Sequence, residues 1–409
     1  MAAPGAAGFI GGRILGGIGT YAQITAVSWY VFHITGDPRA LGILTSLSLA
    51  ASVAASPIGG LLANRYPLQG VAAGAQIIQA VICLAAGLWA QTTNLPLAAL
   101  YVLFVLLAGV SSLGSTSLAQ VLPDSVPRAL RPHAIADSGA AYGVARVVGP
   151  VVGGALVLLS GLGVVILFNA ASFLVFAAVI MRMPIRRGEI REGQVLASKE
   201  GFWAQVSRGV RTPVATVVLA GLVVFYLLVD PVQSQLAAIA ARESPNPLMV
   251  SLFMSALACG SVIVNPLLRR AQSRGAGPVR ILLAGCLGSA VPLALLGATE
   301  QVWLAVLLLV VIGMCMEVVF TAGSATMQLV VSAGSRSAML AVLFATITAA
   351  AAVGSYLLGV AMYHAGVSTA LIVGAAAALG ASLAVVWFAW RVKALTPGLA
   401  TRGDSDRVR

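Results

Sequence analysis

Charge is scarce in this chain, and acid is scarcer than base. Charged residues make up only 9% of its 409 residues against 59% hydrophobic ones, and the mean hydropathy is +0.99. That balance excludes an ordinary soluble domain and describes a polytopic membrane protein. Cysteine is nearly missing. Cys83, Cys259, Cys286 and Cys315 all lie in apolar stretches without a CxxC pair, which argues against a disulfide framework or thiolate metal site and leaves them as small buried hydrophobes. His33, His133 and His364 are too scattered to hold a metal. No GxxxxGK[ST] loop is present to cradle a nucleotide phosphate, and no nucleophile stands beside a matching base. An ATP-driven pump and an intramembrane hydrolase are therefore not expected, and neither is a cofactor.

What the chain does have is long apolar runs. Twelve are separated by short polar breaks, at 8–32, 40–63, 71–92, 96–121, 139–160, 162–181, 213–240, 247–268, 279–298, 302–331, 338–361 and 369–391. Each approaches the roughly 20 residues that a bilayer span needs. Glycine and alanine inside the runs suit close helix packing in lipid. The fold class is thus an all-α membrane protein of twelve transmembrane helices in two six-helix bundles.

The formal charge of +12 is distributed as a topology signal and not as a nucleic-acid footprint. With twelve spans, one side receives Arg65, Arg128, Arg131, the cluster from Arg182 to Arg211, Arg269, Arg270, Arg274, Arg280, Arg336 and the tail from Arg391, while the other receives Arg39 and Arg242. The positive-inside rule then makes both termini and the central connection cytoplasmic, with basic loops able to touch anionic membrane lipids. The first run lacks a basic n-region and leads directly into the second, so a cleavable signal peptide is not expected. Arginine-rich, lysine-poor, alanine-rich usage suggests a bacterial plasma membrane.

Residues 1–184 form the first expected bundle, 185–212 a cytoplasmic linker, 213–391 the second bundle and 392–409 a disordered tail. In the linker Phe202, Val206 and Val210 recur at helical spacing among Lys199, Gln205, Arg208 and Arg211, as in a helix lying on the membrane surface. Two equal six-span halves are the outline of a monomeric secondary transporter with a midplane site and alternating access. Two carboxylates interrupt the apolar runs of the second half. Asp230 and Glu317 would be costly in lipid, so they mark a partner or a watery path.

The sequence Gly149-Pro150-Val151-Val152-Gly153-Gly154 resembles the GPxxGG core of the antiporter motif in drug-exporting members of the major facilitator superfamily. Proline bends the helix while glycines on one face allow close contact with a helix of the other half, and Arg146 shares that face, near the expected seam between the halves. Thr35-Gly36-Asp37-Pro38 with Leu41-Gly42, Leu122-Pro123-Asp124-Ser125-Val126-Pro127-Arg128, and Glu200-Gly201 also resemble its macrolide-efflux and siderophore-export branch. The resemblance implies a twelve-helix fold with pseudo-twofold halves and outward movement of a bulky amphipathic solute, commonly driven by the proton gradient. Two departures stand out. In the cytoplasmic gate loop, Gly60, Leu62, Ala63 and Arg65 fit the family pattern, but Asn64 replaces the aspartate that would latch the loop through a charge-assisted contact. Gly19-Thr20 stands where relatives often carry an acid in the first span.

The resemblance also implies that runs 1, 4, 7 and 10 line the cavity, which places Asp230 and Glu317 on it. Thr321, Ser324 and Gln328 extend a polar stripe from Glu317 at helical spacing, and Tyr226, Gln233 and Ser234 share a face with Asp230. Either carboxylate can exchange protons, or contact a cationic solute with help from Phe225, Tyr226, Met314 and Met316. An ion pair with Arg13 or Arg146 is the structural alternative. Thr20 and Gln23, with Ser112, Thr116 and Gln120, complete the candidate lining, unless they serve interhelical hydrogen bonding. Export of a lipid or metabolite, a channel, and a non-transporting sensor or scaffold remain the other functions compatible with this outline.

Overall fold

The computed structural model describes residues 5–183, 207, 212–330 and 336–392. The expected surface helix of 185–212 and the tail beyond Val392 lie outside these residues, apart from Ser207 and Thr212. The described residues contain no strand. Their helices are α1 (Ala6–Thr35), α2 (Pro38–Arg65), α3 (Leu68–Thr92), α4 (Leu97–Ser125), α5 (Arg131–Met181), α6 (Pro213–Ala241), α7 (Pro247–Ser273), α8 (Pro278–Ala298), α9 (Val302–Val330), α10 (Arg336–Ala365) and α11 (Val367–Arg391). Ten of them, α1 excepted, are long and apolar enough to cross a bilayer. Lipid offers the backbone no partners, so a spanning segment must close its own hydrogen bonds, and the helix does this.

Local residues set the ends. Gly36 closes α1 in the left-handed region at φ 60°, its N–H bonded to Phe32 O, a conformation that suits glycine. Asp37 then caps α2 by accepting from Arg39 N at 2.8 Å, with Pro38 in the first turn. At 51 residues, α5 would be about 77 Å long, more than twice the hydrocarbon thickness. Gly161 breaks it at φ 81°, ψ 174°, so it serves as the expected runs 5 and 6.

The chain groups into two compact units, Met1–Gly193 with Ser234–Ala258, and Gln194–Gln233 with Cys259–Arg409. The grouping departs from the two sequence halves at one place: 234–258 joins the first unit.

In the first unit, small residues let α1 lie along α5. A Cβ on Gly17 would meet Ala145, one on Gly149 would meet Tyr21 and the Ile18 carbonyl, and one on Gly153 would strike the Ala22 backbone. Gly19 similarly faces Ser172 and Asn169. Near the end bearing the basic loops, Phe9 meets Phe176 edge-on at 5.4 Å, within a core that includes Val121, Leu122 and Ile180. Residues 245–255 reach α1 and α5: Trp29 Nε1 donates to Pro245 O at 2.8 Å, Thr25 Oγ1 to Met254 Sδ at 3.0 Å and Ser255 Oγ to Val147 O at 2.8 Å.

Two of the apolar runs of the second sequence half are not single α-helices. α6 is α-helical to Leu228 and then tightens into a 3₁₀ segment, Asp230–Gln235, before resuming at Leu236. Pro231 supplies the cause, because it has no N–H to bond back to Leu227 and its ring crowds that carbonyl. α8 breaks at Ser289 between Pro278–Gly288 and Ala290–Ala298, where Pro292 removes the bond to Gly288. Gly260 lies against the backbone of Val310 and Met314, and Gly354 against Leu227 and Pro231.

Candidate functional site

Glu317 sits midway along the continuous helix α9, half-buried. Thr321 Oγ1, one turn on, donates to Glu317 Oε1 at 3.1 Å. Ser324 continues the stripe with a buried hydroxyl that has no hydrogen-bond partner among the described residues, and Gln328 ends it exposed. The opposite side of the helix packs through Ile312, Met316, Val319 and Gly323. A carboxylate, a hydroxyl bonded to it and an unsatisfied hydroxyl thus occupy one face. That face can hold a proton or accept a polar solute group.

Asp230 has a different setting. It opens the 3₁₀ segment and is half-buried, just beyond Phe225 and Tyr226, whose rings meet edge-on at 5.7 Å. Phe225 is fully buried and Tyr226 nearly so. The expected common face of Tyr226, Asp230, Gln233 and Ser234 assumed 3.6 residues per turn. A 3₁₀ segment turns every three residues, so that spacing does not carry across Asp230; Gln233 is exposed and Ser234 half-buried.

The first unit contributes cations and phenols. Arg13 Nε donates to Ser138 O at 3.3 Å, and the guanidinium lies over the Tyr142 ring, 5.6 Å from its centroid. Tyr21 donates its hydroxyl to that of Tyr142 at 2.5 Å. Arg146 is within electrostatic reach of Tyr21, as is Arg13. Sequence spacing singled out both arginines but neither tyrosine. Tyr142 stands four residues before Arg146 and was legible as its helical neighbour, whereas its pairing with Tyr21 joins positions 121 apart.

The other candidate residues of this unit are placed as follows. Thr20 bonds back to Gly16 O at 2.9 Å and Ser112 reaches across to Ser52 O at 2.8 Å, while Thr116 and Gln120 are half-buried. Gln23 is 2% exposed. Its Oε1 accepts from Asn169 Nδ2 at 2.6 Å and from Cys83 Sγ at 3.3 Å, so in this structure it is a packing group joining α1, α3 and α5. In the hexapeptide, Gly149, Pro150, Gly153 and Gly154 are all buried. A Cβ on Gly154 would meet Ser251, a contact no local pattern signals. Asn64 and Arg65 of the loop after α2 are exposed, Gly60 is half-buried, and the Arg65 guanidinium lies 5.9 Å from the Tyr66 ring centre. Among the described residues no cluster of His, Cys, Asp or Glu is arranged for a metal. At the end opposite the basic loops, Trp29, His33, Gln91, Asn94 and Ser160 line a cavity of about 340 Å³, with His33 stacked on Trp29.

Apolar helices long enough to cross a bilayer, with a carboxylate midway along one of them, define a multi-pass membrane protein. The chain belongs to the Major Facilitator Superfamily, whose family model matches residues 9–239. It is a multi-pass secondary transporter and not an enzyme. Solved structures share the fold. A bacterial homolog of the human lysosomal transporter Spinster, inward-facing and unoccupied, is 17% identical with a TM-score of 0.70, covering 97% of each chain. The nucleoside transporter NupG is 14% identical with a TM-score of 0.74, covering 94% of this chain and 99% of its own. The POT family transporter PepTSo is 9% identical with a TM-score of 0.74, covering 97% and 99%. At these identities the likeness is one of fold alone. No curated protein matches the chain.

Proposed function

We propose that this transporter exports a bulky amphipathic small molecule, a drug-like compound or siderophore, by proton antiport through alternating access. The observation that carries the reading is Glu317, held mid-helix with Thr321 bonded to it and Ser324 unsatisfied on the same face. A carboxylate inside an apolar helix marks a proton or solute path, and each proton entering down 100 mV supplies about 2.3 kcal/mol. Asp230, at a helix break, is the second proton or solute contact. The protein works as a monomer in a bacterial plasma membrane with cytoplasmic termini, needs no cofactor, and takes its energy from the proton gradient.

Purified protein in proteoliposomes, given lipophilic dyes and an imposed pH gradient, tests this. Dye movement is expected to follow the gradient and to lose that dependence in Glu317→Gln, with the folded yield retained. Unchanged movement in both Glu317→Gln and Asp230→Asn would sink carboxylate coupling. Movement of fluorescent lipid instead of dye would assign a flippase, and no movement of either would favour a sensor or scaffold.

A further inference from the structure

The polar side chains gathered around Arg13 in the first unit are one-sided in chemistry. Arg13, Tyr21, Tyr142 and Arg146 are brought together by the glycine-lined approach of α1 and α5, with Gly17 against Ala145 and Gly149 against Tyr21. Every one of these side chains is a hydrogen-bond donor, and the two arginines accept nothing. From the secondary-transporter reading, on which this step rests, we infer that the solute carries an anionic group, such as a carboxylate, phosphate or sulfonate, which Arg13 and Tyr142 receive.

The local geometry supports that assignment. Tyr21 gives its proton to Tyr142, which leaves the Tyr142 hydroxyl hydrogen for an incoming acceptor. Tyr142 is 45% exposed, so the chain of hydroxyls ends at an open position. Arg13 commits Nε to Ser138 O and sets its guanidinium over the Tyr142 ring, so the cation lies beside the phenol. Arg13 is half-buried two turns into α1, and a guanidinium there is better placed beside water or an anion than against lipid. Asp137, beside Ser138, is exposed, and Arg146 has further interactions of its own; the assignment therefore rests on Arg13 and Tyr142. Charge also sets the direction: an inside-negative potential of 100 mV favours outward distribution of a monovalent anion by about 50-fold.

Three fluorescent probes built on one naphthalene body test the inference, bearing a sulfonate, a neutral amide or a trimethylammonium group. In equilibrium dialysis with the detergent-solubilised protein, the sulfonate is expected to bind at least about tenfold more tightly than the ammonium probe. Arg13→Gln and Tyr142→Phe should each weaken sulfonate binding about tenfold while leaving the neutral probe unchanged. In proteoliposomes with a potassium diffusion potential, sulfonate efflux should speed up when the inside is made negative. Ammonium binding as tight as sulfonate binding, absent sulfonate binding, or sulfonate affinity unchanged in both variants overturns the inference. Transport of the ammonium probe alone does so while leaving the secondary transporter intact. Sulfonate that binds as expected but never crosses leaves the anion site standing and faults the transport reading.

Discussion

The first unit gathers two guanidinium groups and two phenols where α1 meets α5, whereas the second sets the Glu317 carboxylate against the Thr321 hydroxyl and includes two broken helices. The difference teaches that two compact units of one chain can carry different polar chemistry. The first unit is tied down by buried amides and backbone-to-backbone approaches around Gln23, Asn169 and Gly153. The second keeps its ionisable groups half-buried, at the middle of α9 and at the 3₁₀ break of α6.

Helix packing offers the largest way to break this comparison. Gly153→Leu drives side-chain atoms into the Ala22 backbone and is expected to cost about 3 kcal/mol or more, read as loss of folded yield or a sharply lower Tm in detergent. Gly374→Leu in the second unit has no atom within 4 Å of the new Cβ and should leave Tm unchanged or raise it, since leucine favours helix by about 0.5–1 kcal/mol over glycine. Equal Tm for the two would end the claim that the Gly153 contact with Ala22 holds the first unit together.

Polar groups sharpen the contrast at smaller scale. Asn169→Ala takes a donor from buried Gln23, whose Nε2 already lacks a partner among the described residues, and should destabilise by about 1–3 kcal/mol. Thr321→Val removes the hydroxyl bonded to half-buried Glu317 and should cost under about 1 kcal/mol while shifting the pH midpoint of transport. Thermal unfolding beside a pH–transport profile separates them; a Thr321→Val change confined to stability would remove Thr321 from the proton site.

The smallest effect lies at the start of α2. The Arg39 side chain, bonded to Asp37 at 2.9 and 3.1 Å, holds the Asp37 carboxyl below its usual range, with the Arg39 N–H adding to it. A depressed carboxyl stabilises the fold above the ordinary carboxylate value, and that contribution fades as pH falls through the native one. Asp37→Ala should therefore lower stability by about 1 kcal/mol at neutral pH, with the gap to native protein narrowing below about pH 4. A gap that stays constant from pH 7 to 3 would show that the carboxylate charge contributes nothing.

Glu317 shows how far local pattern reaches. Its stripe with Thr321 and Ser324 was readable because α9 stays α-helical throughout, so residue spacing and face coincide. Asp230 shows where pattern stops. Pro231 was visible beside it, but whether the chain there would kink, end or tighten into a 3₁₀ turn depends on the packing of Gly354 against Leu227 and Pro231. Gln23 was read as a possible cavity residue or an interhelical bond, and Asn169, 146 positions away, decided for the bond in this structure.

The sequence by itself determined that the chain crosses a membrane many times, that its runs are helical, that two acids stand inside them, and that Gly149 to Gly154 form a close-contact face. Hydrophobicity and backbone self-satisfaction act over the length of one helix, so they are written locally. Only the tertiary structure decided that Tyr21 and Tyr142 meet beside Arg13, that Gln23 is buried and bonded, and that 234–258 groups with the first unit. Those outcomes depend on which helix faces lie within a few ångströms of each other, and residues more than a hundred positions apart carry no local sign of that.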